Sequence, residues 1–407
     1  MAGLLLAIPF ALLLLLVVAH WGPLQRLDLR LDTHLNAFAF QHAGYVSLLQ
    51  GISVVGNPAT FEVLAAIGAV ILLVRRQPRL GVWLAVTVFG GGLLSTVVKA
   101  VVDRKRPLLP HPVAHAASAS FPSGHALGSL VGVGALLLVG LVYPGLRTIY
   151  QSFFNAAGSS FIGMDNYTTL FTTPDELTVL RNTVLWVVIT PFVATAVGLL
   201  YAILVDRARL ESLAKALIFL PMAISFVGAS IIWKFVYEYR PAQGGIKQIG
   251  LLNQLVVWAG GSPQQWLLEK PWNTLFLIAI MIWIQAGFAM TVLSAAIKAI
   301  PDDIVEAARL DGVRRLGMFR YITVPSIRPA LIVVLTTIGI GTLKVFDIVR
   351  TVTGGQFDTS VVANEFYSQS FRSDNQGLGA ALAVLLFVLV VPIVVYNVRQ
   401  LRAQEAR

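Results

Sequence analysis

The stretch IPDDIVEAARLDGVRRLGMFRYITVPSIRPAL, residues 300–331, decides how the chain is read. Pro301 suits a first helical turn, and Asp302 and Asp303 follow at the positive end of the helix dipole. The helix is predicted to continue through Glu306, Ala307, Ala308 and Leu310. Gly312 then permits a turn in which a side chain is unwelcome. Lys298, Arg309, Arg314, Arg315, Arg320 and Arg328 make the segment basic, and apolar runs flank it on both sides. Basic residues collect in cytoplasmic loops of membrane proteins. The stretch therefore reads as a short cytoplasmic helix between two spans, with small alanines that let a soluble partner come close.

Outward from this connector the chain is apolar. Of 407 residues, 57% are hydrophobic and 12% charged, about half the charged fraction of a soluble domain. Mean hydropathy is +0.77. Nine runs approach or exceed the roughly 20 residues that cross a bilayer: 3–20, 58–74, 80–102, 126–145, 182–205, 214–236, 273–297, 329–348 and 378–397. Their apolar faces run all round, which favours helices over barrel strands. The expected fold is an all-α, polytopic integral membrane protein of about nine transmembrane helices. The stretch between the first two runs, HLNAFAFQHAGYVSLLQGISVVGNP, is broken by polar residues and reads as an interfacial helix.

The net charge of +10 does not imply nucleic acid, because no aromatic-interleaved basic patch accompanies it. Six His and no Cys are present, which excludes disulfides, zinc–thiolate sites and thiol nucleophiles. The opening MAGLLLAIPFALLLLLVVAHWG lacks a basic n-region and reads as a retained anchor. No G-x4-G-K-[ST] loop occurs, so the chain is expected to bind no ATP and to carry no cofactor.

The connector resembles the EAA motif of type-I ABC importer permeases through Glu306, Ala307, Ala308 and Gly312, followed by Ile322 and Pro325. Val324 stands where the family usually has Leu. VYPGLRTIYQSFF, FIGMDNYTTLF and VFDIVRTVTGGQFDTSVVANEFY resemble the carbohydrate group of maltose and α-glucoside importers. The resemblance covers about residues 135–407 and places a permease domain at 131–407. It implies ATP-driven uptake of an oligosaccharide or α-glucoside in a bacterial or archaeal inner membrane. The implied partners are ABC ATPase subunits, a second permease subunit, an extracytoplasmic sugar-binding protein and membrane lipids. Asn182, Gln285, Lys344 and Asp347 are intramembrane polar groups that are candidates for touching solute or for helix contacts and span ends.

The N-terminal third reads differently. Lys99 precedes Arg106 and Pro107 in KAVVDRKRP, and Pro122, Ser123, Gly124 and His125 open the next run. Two cations, a hydroxyl and a glycine at a helix N-terminus form a phosphate cradle in which His125 could protonate a leaving alkoxide. These residues resemble the type-2 phosphatidic acid phosphatase superfamily over residues 1–130. That family draws its nucleophilic His from a third motif, S-R-x5-H-x3-D. Here no His follows His125, and His111 and His115 lie between the two motifs without a suitably spaced carboxylate. The expectation is a truncated, catalytically inactive phosphatase-like region, with membrane phosphatase activity as the rival function.

The two resemblances ask the 126–145 run to point in opposite directions. The EAA loop, DRARLESLAK and Arg399, Arg402 and Arg407 all favour the inside, which makes 126–145 run from inside to outside. In the phosphatase family the span after PSGH runs the other way. Arg26, Arg30, Lys99, Arg104, Lys105 and Arg106 fall inside in the permease orientation, against Arg75, Arg76 and Arg79 outside. The charge balance favours the permease.

Overall fold

A computed structural model of the protein describes residues 12–105, 120–206, 209–241 and 248–405. Among these, helices account for the regular structure, and the only pairing of extended chain is an isolated bridge between Phe154 and Phe161. Six helices are long and apolar enough to cross a membrane, and nine spans result if three bent helix pairs each count as one. The chain forms two compact units, residues 1–146 and 147–407.

In the first unit, Leu12–Val18 and Gly22–Gln41 meet at 92°. Ala43–Val74 follows as a 32-residue apolar run. Most of the stretch expected to lie at the interface therefore belongs to this run, because Asn57 caps Pro58–Val74 through Ala59 N–H at 3.0 Å without breaking its direction. Ala65, Leu84, Val88 and Ala135 form a small core with Phe61 against it. Small residues make this packing possible: a Cβ on Gly132 would stand 2.5 Å from Phe61, and one on Gly128 3.0 Å from Pro58. Apolar lipid tails supply no hydrophobic drive between helices, so close backbone approach and dispersion must hold them together.

The second unit is built on two long helices, Pro174–Val205 and Trp272–Lys298, which pack extensively on each other. The contact is close at Gly198, where an added Cβ would lie 2.4 Å from Ala289 Cβ and 2.7 Å from the Met290 nitrogen. Around it Ala194, Ala202, Met290, Leu293, Ile327, Val334 and Ile338 are buried as one cluster, so Arg328–Leu343 packs on the same pair. A second cluster joins Trp186, Leu277, Ile278, Met281 and Ile348. Tyr237 lies in it with its hydroxyl donating to the Phe276 carbonyl at 2.9 Å, and burial pushes that hydroxyl's pKa upward.

The helix expected to start at 182 starts at Pro174, where a proline in the first turn loses no intrahelical bond. At 32 residues it is about 48 Å long, well beyond the ~30 Å hydrocarbon thickness. The run expected at 214–236 is bent by 103° between Glu211–Ala223 and Phe226–Val236. The break follows Pro221, and Ser225 restarts the helix by accepting from Gly228 N–H at 3.1 Å. The run expected at 3–20 lies partly outside the described residues.

Candidate functional site

The connector forms a nine-residue helix, Asp302–Leu310. Pro301 is its N-cap residue, one position earlier than a first-turn proline, with Asp302 and Asp303 in the first turn. Gly312 ends it with φ +77°. Around that turn Asp311 N–H donates to the Ala307 carbonyl, Gly312 N–H to Arg309 and Val313 N–H to Ala308, each at 3.0 Å. These bonds satisfy carbonyls that a helix end otherwise leaves open, and a glycine tolerates the left-handed backbone they need.

The helix has two faces. Ala308 is buried at 5% exposure, whereas Glu306 and Ala307 are exposed. Beyond it Leu310 is 89% exposed and Leu316 79% exposed, with Tyr321 and Ile304 also uncovered. Basic side chains surround them: Arg309, Arg314 and Arg315 are exposed too. The chain then bends by 69° between Arg315–Ser326 and Arg328–Leu343. Ile327, at the bend, is 1% exposed and packs in the cluster with Ala194 and Met290. The connector is thus anchored at its far end by a buried residue while its helix presents an uncovered mixed surface.

A charge cluster fixes the near end. Lys215 Nζ lies 2.5 Å from Asp206 Oδ1 and 2.9 Å from Glu211 Oε1. Ser294 Oγ donates to Asp206 Oδ1 at 2.7 Å, and Lys298 pairs with Glu211. Asp206 follows Val205, the last residue of one long helix, and Lys298 ends the other. Asp206, the Glu211–Phe219 helix and the start of the connector are therefore held on one side of the unit. Sequence reading missed this cluster. Its trace was the i,i+4 pair Glu211–Lys215, but the cross-helix partners Ser294 and Lys298 are 79 and 87 residues away from Lys215 and Glu211.

The opposite end is polar in a different way. Asn182 is fully buried and donates to the carbonyls of Asp358 at 2.6 Å and Ser360 at 3.0 Å. Asn273 donates to the Phe357 carbonyl at 2.7 Å. Each long helix thus pins the loop before Val362–Phe371. Of the alternatives open to Asn182, the structure shows a contact between a helix and this loop. Lys344 is exposed, and Gln285 and Asp347 are half-buried.

In the first unit, Ser123 caps Gly124–Leu137 by accepting from Ala126 N–H at 3.3 Å. A Cβ on Gly124 would lie 3.1 Å from Lys99 Nζ, so the ammonium stands over that helix N-terminus. His125 Nε2 lies 3.2 Å from Ser53 Oγ. Arg106, His111 and His115 lie outside the described residues.

A model of the binding-protein-dependent transport system inner membrane component matches residues 194–404, which include the last part of the first long helix, the whole of the second and the whole connector. The chain belongs to this family. As such a component it is a multi-pass membrane permease subunit of a transport system. Its relatives include the osmoprotective compounds uptake permease protein GgtC of Synechocystis, 49% identical over 65% of this chain and 94% of the relative. The alpha-glucoside transport system permease protein AglF of Rhizobium meliloti is 46% identical over 64% of this chain and 77% of that protein. The permease fold also resembles a crystal structure of a bacterial ABC transporter that imports the acidic polysaccharide alginate, with TM-score 0.56 and 23% identity over 67% of this chain and 93% of that one. A second such structure holds that transporter with its periplasmic protein bound to an alginate pentasaccharide.

Proposed function

We propose that the chain is the permease subunit of an ATP-driven importer of carbohydrate, an oligosaccharide or α-glucoside. It works beside a second permease, separate ATPase subunits and an extracytoplasmic binding protein in an inner membrane. The observation that carries this reading is the connector helix, which leaves Glu306, Ala307 and Leu310 uncovered on a buried anchor of Ala308 and Ile327. Such an exposed apolar and charged surface at the membrane edge calls for a protein partner. Glu306, Ala307, Ala308 and Gly312 are assigned to coupling with the ATPase. The similarity to AglF, a permease of an alpha-glucoside transport system, supports a glucoside-like solute.

The test is co-purification and uptake. Glu306→Lys and Gly312→Asp should lose the ATPase and transport while leaving the protein in the membrane. Wild-type co-purification and uptake in both variants would contradict the assignment.

For residues 1–130 we propose a phosphatase-like region that retains an anion cradle of Lys99, Arg106, Ser123, Gly124 and His125 without turnover. The placement of Lys99 Nζ beside Gly124 supports it. Phosphate binding that is lost in Lys99→Met, with no phosphate release from a phosphatidic acid substrate, is the expected result.

A further inference from the structure

The end of the permease unit farthest from the Asp206–Lys298 cluster holds a cavity of about 440 Å³. Its wall includes Asp175, Glu176, Asp358 and Glu365, with Thr173 and Gln369 beside them. Four carboxylates share one small space, and among the described residues no Lys or Arg lines it. Two of them are already engaged. Lys270 Nζ pairs with Asp358 at 2.5 Å, and Glu365 accepts from Ser360 Oγ at 3.1 Å and Gln369 Nε2 at 2.8 Å.

Glu176 is the exception. It is only 6% exposed, and its Oε2 is buried without a hydrogen-bond partner. A buried carboxylate oxygen is strongly disfavoured unless something pairs with it. Asp175, next to it in the first turn, is exposed at the rim. The site is therefore graded from an open acidic rim to an unsatisfied acidic floor.

The shape of the donor set selects the ligand. Among the described residues no three His, Cys, Asp or Glu groups come together as a metal chelate. Spread carboxylates in a cavity of this size suit instead a cation with several donors on a flexible stem, such as guanidinium or ammonium. The far wall is held in place: Asn182 and Asn273 hold the carbonyls of Phe357, Asp358 and Ser360.

We propose that this cavity receives an arginine or lysine side chain of the extracytoplasmic binding protein, which pairs with Glu176 at the floor and Asp175 at the rim. The assignment to that partner rests on the importer reading above. The Pro174 end of the long helix lies opposite the basic connector, so in that reading it faces outside, where the binding protein docks. Asp175 then steers approach, and Glu176 supplies the desolvated pair.

Two experiments test it. In the first, Nα-acetyl-L-argininamide and its neutral isostere Nα-acetyl-L-citrullinamide are titrated into the full chain in lipid nanodiscs. Saturable binding of argininamide alone, lost in Glu176→Gln, is expected. Equal behaviour of the two probes, or binding unchanged in the variant, overturns the site. In the second, the purified binding protein is titrated onto the assembled importer in nanodiscs. Glu176→Gln should weaken its association about tenfold or more, and Asp175→Asn by a smaller factor that shrinks with added salt. Asp175 is exposed, so its variant reads out even if Glu176→Gln assembles poorly. If argininamide binds but both variants keep wild-type affinity for the binding protein, the partner assignment is wrong. If the wild-type importer itself binds no such protein, the importer reading falls and takes the partner with it, while the argininamide result still judges the cavity.

Discussion

Lys215 and Asp206 meet at 2.5 Å across the turn that follows the first long helix of the permease unit. Ser294 reaches the same carboxylate from the second long helix at 2.7 Å. Three chain segments are thereby joined where they enter the connector side. Asp206→Ala removes the common acceptor and leaves Lys215 with Glu211 and the Ser294 hydroxyl. The apparent Tm of the detergent-solubilised protein should fall by roughly 2–4 °C, and Asp206→Ala combined with Lys215→Met should fall by less than the two single changes added together. Additive losses would show that the pair is not coupled.

The other ends of the same helices make a second prediction. Asn182 is fully buried and serves two loop carbonyls. Asn182→Leu keeps the branched shape and strands both acceptors, at a cost of about 2–3 kcal/mol. The expected signature is lower thermal stability together with faster proteolysis of the 353–360 loop. A variant as stable as wild type would mean that water replaces the amide.

Gly198 permits a close approach between the long helices, with Ala289 Cβ 2.4 Å from where its own Cβ would be. Gly198→Val must push the pair apart, an overpacking cost of about 1–3 kcal/mol. Membrane yield and Tm should drop, and Ala289→Gly should recover part of the loss. Absence of any recovery would place the strain elsewhere.

Much of this was legible in the sequence because a bilayer imposes length and polarity directly. The runs at 273–297 and 378–397 correspond to Trp272–Lys298 and Gln376–Tyr396 nearly residue for residue. The turn at Gly312 was legible for a similar reason, since left-handed backbone selects glycine. Three features were not. The bend after Pro221 leaves hydropathy unchanged, so 214–236 read as one straight run. The charge cluster and the acidic cavity depend on partners such as Asp206 with Ser294, and Glu176 with Glu365, which local periodicity does not join. The role of Asn182 stayed open between solute and structural contact because hydropathy registers a polar residue in a span and not the carbonyls it serves.

Gly312 also carries a quantitative prediction. At φ +77° an alanine costs about 1–2 kcal/mol, although open space surrounds the position. Gly312→Ala should therefore weaken ATPase co-purification without lowering expression, and less severely than Gly312→Asp. Equal effects from the two changes would show that the backbone alone is the cause and the added charge contributes nothing, and wild-type co-purification in Gly312→Ala would contradict the role of the left-handed turn.

The account depends most on which side of the membrane the Asp302–Leu310 helix faces. Leu310 is 89% exposed, and the chain has no Cys, so Leu310→Cys provides a single addressable thiol. In sealed cells that thiol should resist an impermeant maleimide and react once the membrane is opened. Labelling from outside in intact cells would contradict the importer reading directly.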